Sequence, residues 1–218
     1  MDKKKKTPWP TKKAMEQVYE MQLWGSNASK FYSGDGSHNP AIVKPYVEVV
    51  KTFLTSFKKP ITVCDLGCGD FNIGKEFVKF TKNYIGVDIV KNLIDFNKST
   101  YKNPNLEFCC LDIAKDDLPV ADCVIVRQVL QHLSNTEVES IVKKLQNYKY
   151  VILTEHLPKE DFIPNKDIIS GQGIRLKKQS GINLLAPPFN LKVISAKELL
   201  RINLEENKGV IITWIYGL

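Results

Sequence analysis

Residues 61–75, Ile-Thr-Val-Cys-Asp-Leu-Gly-Cys-Gly-Asp-Phe-Asn-Ile-Gly-Lys, constrain the fold more than any other stretch. An apolar run ends at Asp65, glycines follow at 67 and 69, and Ile73, Phe77, Val78 and Phe80 then recur at roughly helical spacing. This predicts a buried strand, a tight turn and a helix over 72–80. Glycine has no Cβ, so the turn can be sharp and a ligand can approach its backbone. The N–H groups at the start of the helix are then expected to face that ligand. A dinucleotide fingerprint would place a third glycine three residues after Gly69, but Asn72 stands there.

The pattern continues downstream. Tyr84 to Val87 reads as a second strand ending at Asp88, about twenty residues past the glycines, where an acid can bond both ribose hydroxyls. Leu106 to Leu111 leads to Asp112-Ile113, and Cys123 to Val126 leads to Arg127-Gln128 and then Val129 to Leu133. Asp65-x-Gly67-x-Gly69 with these strand-end acids resembles the class I S-adenosylmethionine-dependent methyltransferases, over about residues 60–135. The resemblance implies S-adenosyl-L-methionine as cofactor, held by Asp65, Gly67, Cys68, Gly69, Asp88, Ile89, Asp112, Ile113 and Arg127.

The rest of the chain fits one domain over 1–218, with a basic tail, helical cap and lid over 1–57 and a cofactor-binding core over 58–218. Helices are expected over 11–24, 40–57, 90–99 and 135–147, and strands over 149–154, 191–195 and 209–216, with 196–204 helical in spacing. Alternating strands and helices predict an α/β fold, a Rossmann-like doubly wound, mostly parallel sheet. The family architecture adds up to seven strands, the C-terminal one antiparallel. Ligands bind such sheets at the carboxyl ends of the strands.

Candidate catalytic groups follow from that placement. Methyl transfer to a hydroxyl requires a proton acceptor, and Glu155 and His156 directly follow the fifth strand, while His132 follows the fourth. Each also has a purely structural reading. Residues 24–40, rich in turn formers and aromatics, read as a lid or an ordinary surface loop. As a lid, Trp24 and Tyr32 would exclude water over the substrate and Ser33 or Ser37 would meet the methionine carboxylate. In the 171–188 insertion, Arg175 is the candidate for an anionic group on the acceptor. No convincing carboxylate set for a metal is present.

Charge and cysteine content narrow the classes. The net charge is +7, but residues 1–13 carry six lysines and one aspartate, leaving only +2 on the other 205 residues. A nearly balanced body favours a small-molecule acceptor, probed against an RNA or protein methyltransferase using the Lys3–Lys6 tail as an arm. A catalytically silent cofactor-binding partner subunit is the third reading. Oligomeric state is left open. The five cysteines form no C-x-x-C pair and read as buried reduced thiols. With no apolar run of eighteen residues and no h-region, a cytoplasmic protein without a membrane span is expected.

Overall fold

The computed structural model describes residues 8–205 and 208–218; the Lys3–Lys6 tail lies outside them. Helix α1 spans Thr11–Glu20, a single turn α2 spans Asp35–His38, and α3 spans Pro40–Thr55. Strands β1 (Thr62–Leu66), β2 (Asn83–Asp88), β3 (Leu106–Cys110) and β4 (Cys123–Arg127) follow, with α4 (Lys91–Thr100) between β2 and β3. Helix α5 (Asn135–Leu145) leads to β5 (Tyr150–Leu157), β6 (Ser195–Asn203) and β7 (Val210–Gly217).

The sheet has seven strands in the order β3-β2-β1-β4-β5-β7-β6. Strands β1 to β5 are mutually parallel and β7 runs antiparallel to both neighbours. This is the doubly wound α/β architecture of the sequence reading. The order reverses between β1 and β4, the crevice where such sheets take ligands. Central strands are buried on both faces, which is why Val124-Ile125-Val126 and Val151-Ile152-Leu153 read as continuous apolar runs. One apolar layer packs α5 and the 182–191 segment on the sheet, and the other packs α3, Ile94 of α4 and Phe71 and Phe77 on its opposite face.

Three local expectations are corrected. Residues 72–80 form two 3-10 turns, Gly74–Glu76 and Val78–Phe80, and not one helix. Phe71 takes a left-handed φ of 62° and its ring sits where a Cβ on Gly74 would be, 2.3 Å from Phe71 Cε2, so packing and not helical propensity sets the path. Residues 196–203 belong to strand β6, and 191–194 precede it without regular structure. A register shift between Glu198 and Leu200 leaves Leu199 unpaired with β7 on this edge strand, and the extra residue breaks the two-residue alternation by which a strand is read. Finally, β5 extends to Leu157, so Glu155 and His156 lie inside the strand and not after it.

The cysteines also divide more finely than expected. Cys64, Cys68 and Cys123 are buried free thiols, whereas Cys109 is half-buried and Cys110 exposed on edge strand β3. No helix among the described residues is long and apolar enough to cross a membrane.

Candidate active site

A cavity of about 460 Å³ opens at the carboxyl ends of β1 to β4. Its floor is the turn Gly67-Cys68-Gly69, flanked by Asp88 and Ile89 after β2 and by Asp112 and Ile113 after β3. Arg127, Gln128 and His132 close the β4 side, with His156 of β5 beyond them. The roof comes from α1, through Met15 and Tyr19, and from Trp24 and the Ser33–Ser37 segment.

The floor differs from the expected anion cradle. The four N–H groups from Gly67 to Asp70 are all taken internally: Gly67 and Cys68 donate to Val87 O (2.8 and 2.9 Å), Gly69 to Asp88 Oδ2 (3.2 Å) and Asp70 to Ser33 Oγ (2.9 Å). Without a helix start, the turn offers close approach and not free donors. That approach is strict at Gly67 (φ +79°), where a Cβ would lie 2.3 Å from Val129 Cγ2.

Asp70, unassigned from sequence, anchors the roof. Its carboxylate accepts from Ser33 N (2.9 Å) and meets His38 Nε2 (2.6 Å). Asn72 Nδ2 donates to Ser37 O (2.8 Å), Arg127 Nη2 to Gly36 O (2.5 Å) and Gln172 Nε2 to Leu23 O (2.8 Å). On the far side, Glu137 joins three segments, accepting from the hydroxyls of Thr11, Ser134 and Ser170. The 24–38 loop thus covers the cavity, and Arg127 holds the roof through Gly36 while its guanidinium lies 4.7 Å from the Tyr46 ring. The signal in sequence was the acid directly after the second glycine.

Four candidates lie away from the cavity wall. Asp65 is buried below it and accepts from Tyr84 Oη (2.8 Å); burial pushes its carboxyl up to about 6, against that bond and the nearby Arg127 charge. Tyr32 donates to Asp35 Oδ1 (2.6 Å) and stacks on His38 at the outer side of the roof. Glu155 is 2% exposed and accepts from Leu130 N (3.2 Å) and Gln131 N (3.0 Å), so it holds the Leu130–His132 turn and does not reach the cavity. Arg175 is 1% exposed; Nη1 donates to Leu130 O (2.8 Å), Nη2 to Leu133 O and Asn135 Oδ1 (2.7 Å each), and Nε to Lys166 O (3.2 Å). Its donors face the protein, and Lys177 is the insertion cation at the cavity wall.

Both histidines at the wall are held by carbonyls. His132 Nδ1 meets Gly171 O (3.2 Å), its Nε2 faces Gln131 Nε2 (3.4 Å), and Trp24 packs on its ring with centroids 5.1 Å apart. Burial pushes the His132 imidazole down to about 4, so it is neutral. His156 Nε2 meets Lys208 O (2.6 Å), which assigns the proton to Nε2 and the lone pair to Nδ1. Burial lowers its pKa as well.

A family model described as a methyltransferase domain matches residues 63–148. The seven-stranded sheet with its antiparallel strand β7 agrees with that match. Over those residues the chain resembles a class I methyltransferase domain. The chain resembles the N-methyltransferase NodS from Bradyrhizobium japonicum WM9, solved with S-adenosyl-L-homocysteine: TM-score 0.66 and 12% identity over 94% of this chain and 98% of that one. It also resembles magnesium protoporphyrin IX methyltransferase (ChlM) from Synechocystis PCC 6803 with bound SAM, at TM-score 0.58 and 15% identity over 98% and 100% of the two chains. Human N-acetylserotonin methyltransferase matches at TM-score 0.54 and 14% identity, over 96% of this chain and 60% of that one. At these identities the likeness is one of fold. No curated protein matches the sequence.

An S-adenosyl group fits the residues present in the cavity. Asp88 is buried, and its two oxygens each accept one backbone N–H, from Val90 (3.0 Å) and Gly69 (3.2 Å), leaving lone pairs for two ribose hydroxyls. Burial raises its pKa to about 6, against those N–H bonds, so it is largely ionised at neutral pH. Ile89 and Ile113 give that end apolar walls for a flat base. Asp112 already bonds Ala114 N (3.1 Å) and Lys115 Nζ (2.8 Å). Among the described residues, no three His, Cys, Asp or Glu side chains come together to hold a metal ion.

Proposed function

We propose that the protein transfers the methyl group of S-adenosyl-L-methionine to an oxygen of a small-molecule acceptor. The observation that carries this is the roofed cavity, tied down through Asp70, Arg127 and Glu137, which suits a compact acceptor better than a polymer. The nearly balanced charge of the body agrees, as do neighbours whose names specify small-molecule acceptors.

When bound, the cofactor supplies an electrophilic methyl carbon on a sulfonium. Asp88 would hold the ribose, with Ile89 and Ile113 against the base. Trp24 and the Ser33–Ser37 segment exclude water from the cavity. His156, kept neutral by burial and with its Nε2–H tied to Lys208 O, offers Nδ1 to take the acceptor's hydroxyl proton. His132 is the second candidate, since its Nε2 already faces the Gln131 amide.

Incubating the protein with methyl-tritiated cofactor and a fractionated cell extract tests the acceptor class. Label should appear in the low-mass fraction; accumulation only in RNA or protein would overturn the small-molecule reading. Asp88→Ala should weaken cofactor binding by about 1–3 kcal/mol, the cost of unpaired ribose hydroxyls. Unchanged binding in calorimetry would remove Asp88 from the site.

His156→Ala should slow turnover with cofactor affinity intact. In the wild-type protein the base must be neutral, and burial holds its pKa below the ordinary histidine value of about 6.5. Turnover should therefore be flat from about pH 7 to 8 and fall only below the usual histidine range. An acid limb centred above that range would point to another base.

A further inference from the structure

Gln128 stands out among the residues at the cavity wall. It follows the last residue of β4 in a left-handed backbone conformation (φ +55°), fixed by its N–H donating to Thr154 O at 2.7 Å. A non-glycine residue rarely adopts that conformation, and such outliers cluster at ligand sites. The twist sends its carboxamide under the roof, where a Cβ on Gly36 would lie 2.4 Å from Gln128 Oε1. Its Nε2 is buried and has no hydrogen-bond partner among the described residues. A buried donor left unpaired in this way implies an absent acceptor.

The sheet order says which acceptor. Strand ends succeed one another as β3, β2, β1 and β4, carrying Asp112, Asp88, the Gly67–Gly69 turn and Gln128. A ligand whose nucleoside end lies at Asp112 and Asp88 must cross the glycines toward Gln128 with its other end. Ser33 Oγ accepts from Asp70 N (2.9 Å) and meets Tyr19 Oη (3.0 Å), and Ser37 Oγ accepts from Arg127 Nη1 (3.4 Å), so each hydroxyl already has a protein partner whereas the Gln128 amide nitrogen has none among the described residues. Arg127 Nε, one residue before Gln128, is likewise buried without a partner and adds positive charge.

We propose that the Gln128 carboxamide N–H binds the carboxylate at the amino-acid end of the cofactor. This rests on the cofactor reading above. Gln128 lines the cavity beside Gly36, which places its carboxamide at that end of the ligand site.

Calorimetry with two ligands tests it: S-adenosyl-L-homocysteine, and 5′-methylthioadenosine, which lacks the amino-acid end. Gln128→Ala should lower affinity for the first by tenfold or more and leave the second within twofold, the second also reporting that the variant is folded. Gln128→Glu should bind the first more weakly still, because two carboxylates would meet. Equal losses on both ligands, no loss on the first, or tighter binding by Gln128→Glu would overturn the assignment. Wild-type protein binding neither ligand would overturn the cofactor reading, and this assignment with it. Wild-type protein binding both ligands, with the loss confined to the first, supports it.

Discussion

Arg175→Ala should cost about 3–5 kcal/mol of folding stability, the largest effect expected of any single change here. The guanidinium is fully enclosed and donates to three carbonyls and to Asn135 Oδ1, drawing residues 130–135 onto the 166–175 segment. Its charge also attracts Glu155, which burial pushes up to about 8 while Arg175 and two backbone N–H groups pull it back. Alanine leaves a buried carboxyl without a counter-charge and several acceptors without donors. Arg175→Lys should rescue little, because an ammonium cannot reproduce the planar fork.

The pH dependence has a definite sign. A carboxyl whose folded pKa lies above its unfolded value of about 4.3 contributes stability that is present at low pH and lost as pH rises through about 8. Removing Arg175 raises that folded pKa further, so the penalty should grow between pH 5.5 and 8.5. Urea denaturation at the two pH values checks this. A difference from wild type below about 1 kcal/mol, equal at both pH values, would show that Arg175 is not the clamp described.

Gly67→Ala should be the second most damaging change. The new Cβ would meet Val129 Cγ2 at 2.3 Å, and φ is +79°. Overpacking of about 1–3 kcal/mol adds to a left-handed backbone cost of about 1–2 kcal/mol. Val129 lines the cavity, so the shift that relieves the clash also reshapes the ligand site. Combining Gly67→Ala with Val129→Ala should recover the overpacking part of the stability and leave the backbone strain. If the double variant is no more stable than Gly67→Ala alone, the clash is not the cause.

The alternation of strands and helices was legible because apolar spacing reports burial over a few residues, and parallel strands ending at one edge bring their terminal residues together. Asp88, Asp112, Arg127, His132 and His156 reach the cavity wall for that reason. Glu155 fails by one residue: within a strand successive side chains point to opposite faces, and β5 continues past it because β7 pairs with it as far as Leu157. The β6 strand was hidden by its bulge.

Local pattern in the chain is thus sufficient for the α/β sheet, the glycine turn and the resemblance to methyltransferases. It does not say what each polar group bonds to. Arg175 reads as a candidate for an anionic group on the acceptor until folding brings Leu130 O, 45 residues away, within 2.8 Å. The turn's N–H groups read as free until Ser33, 37 residues away from Asp70, occupies one of them. Propensity and periodicity act over a turn or two of chain, whereas the partners of a buried polar group are set by whichever distant segments the packed core brings beside it.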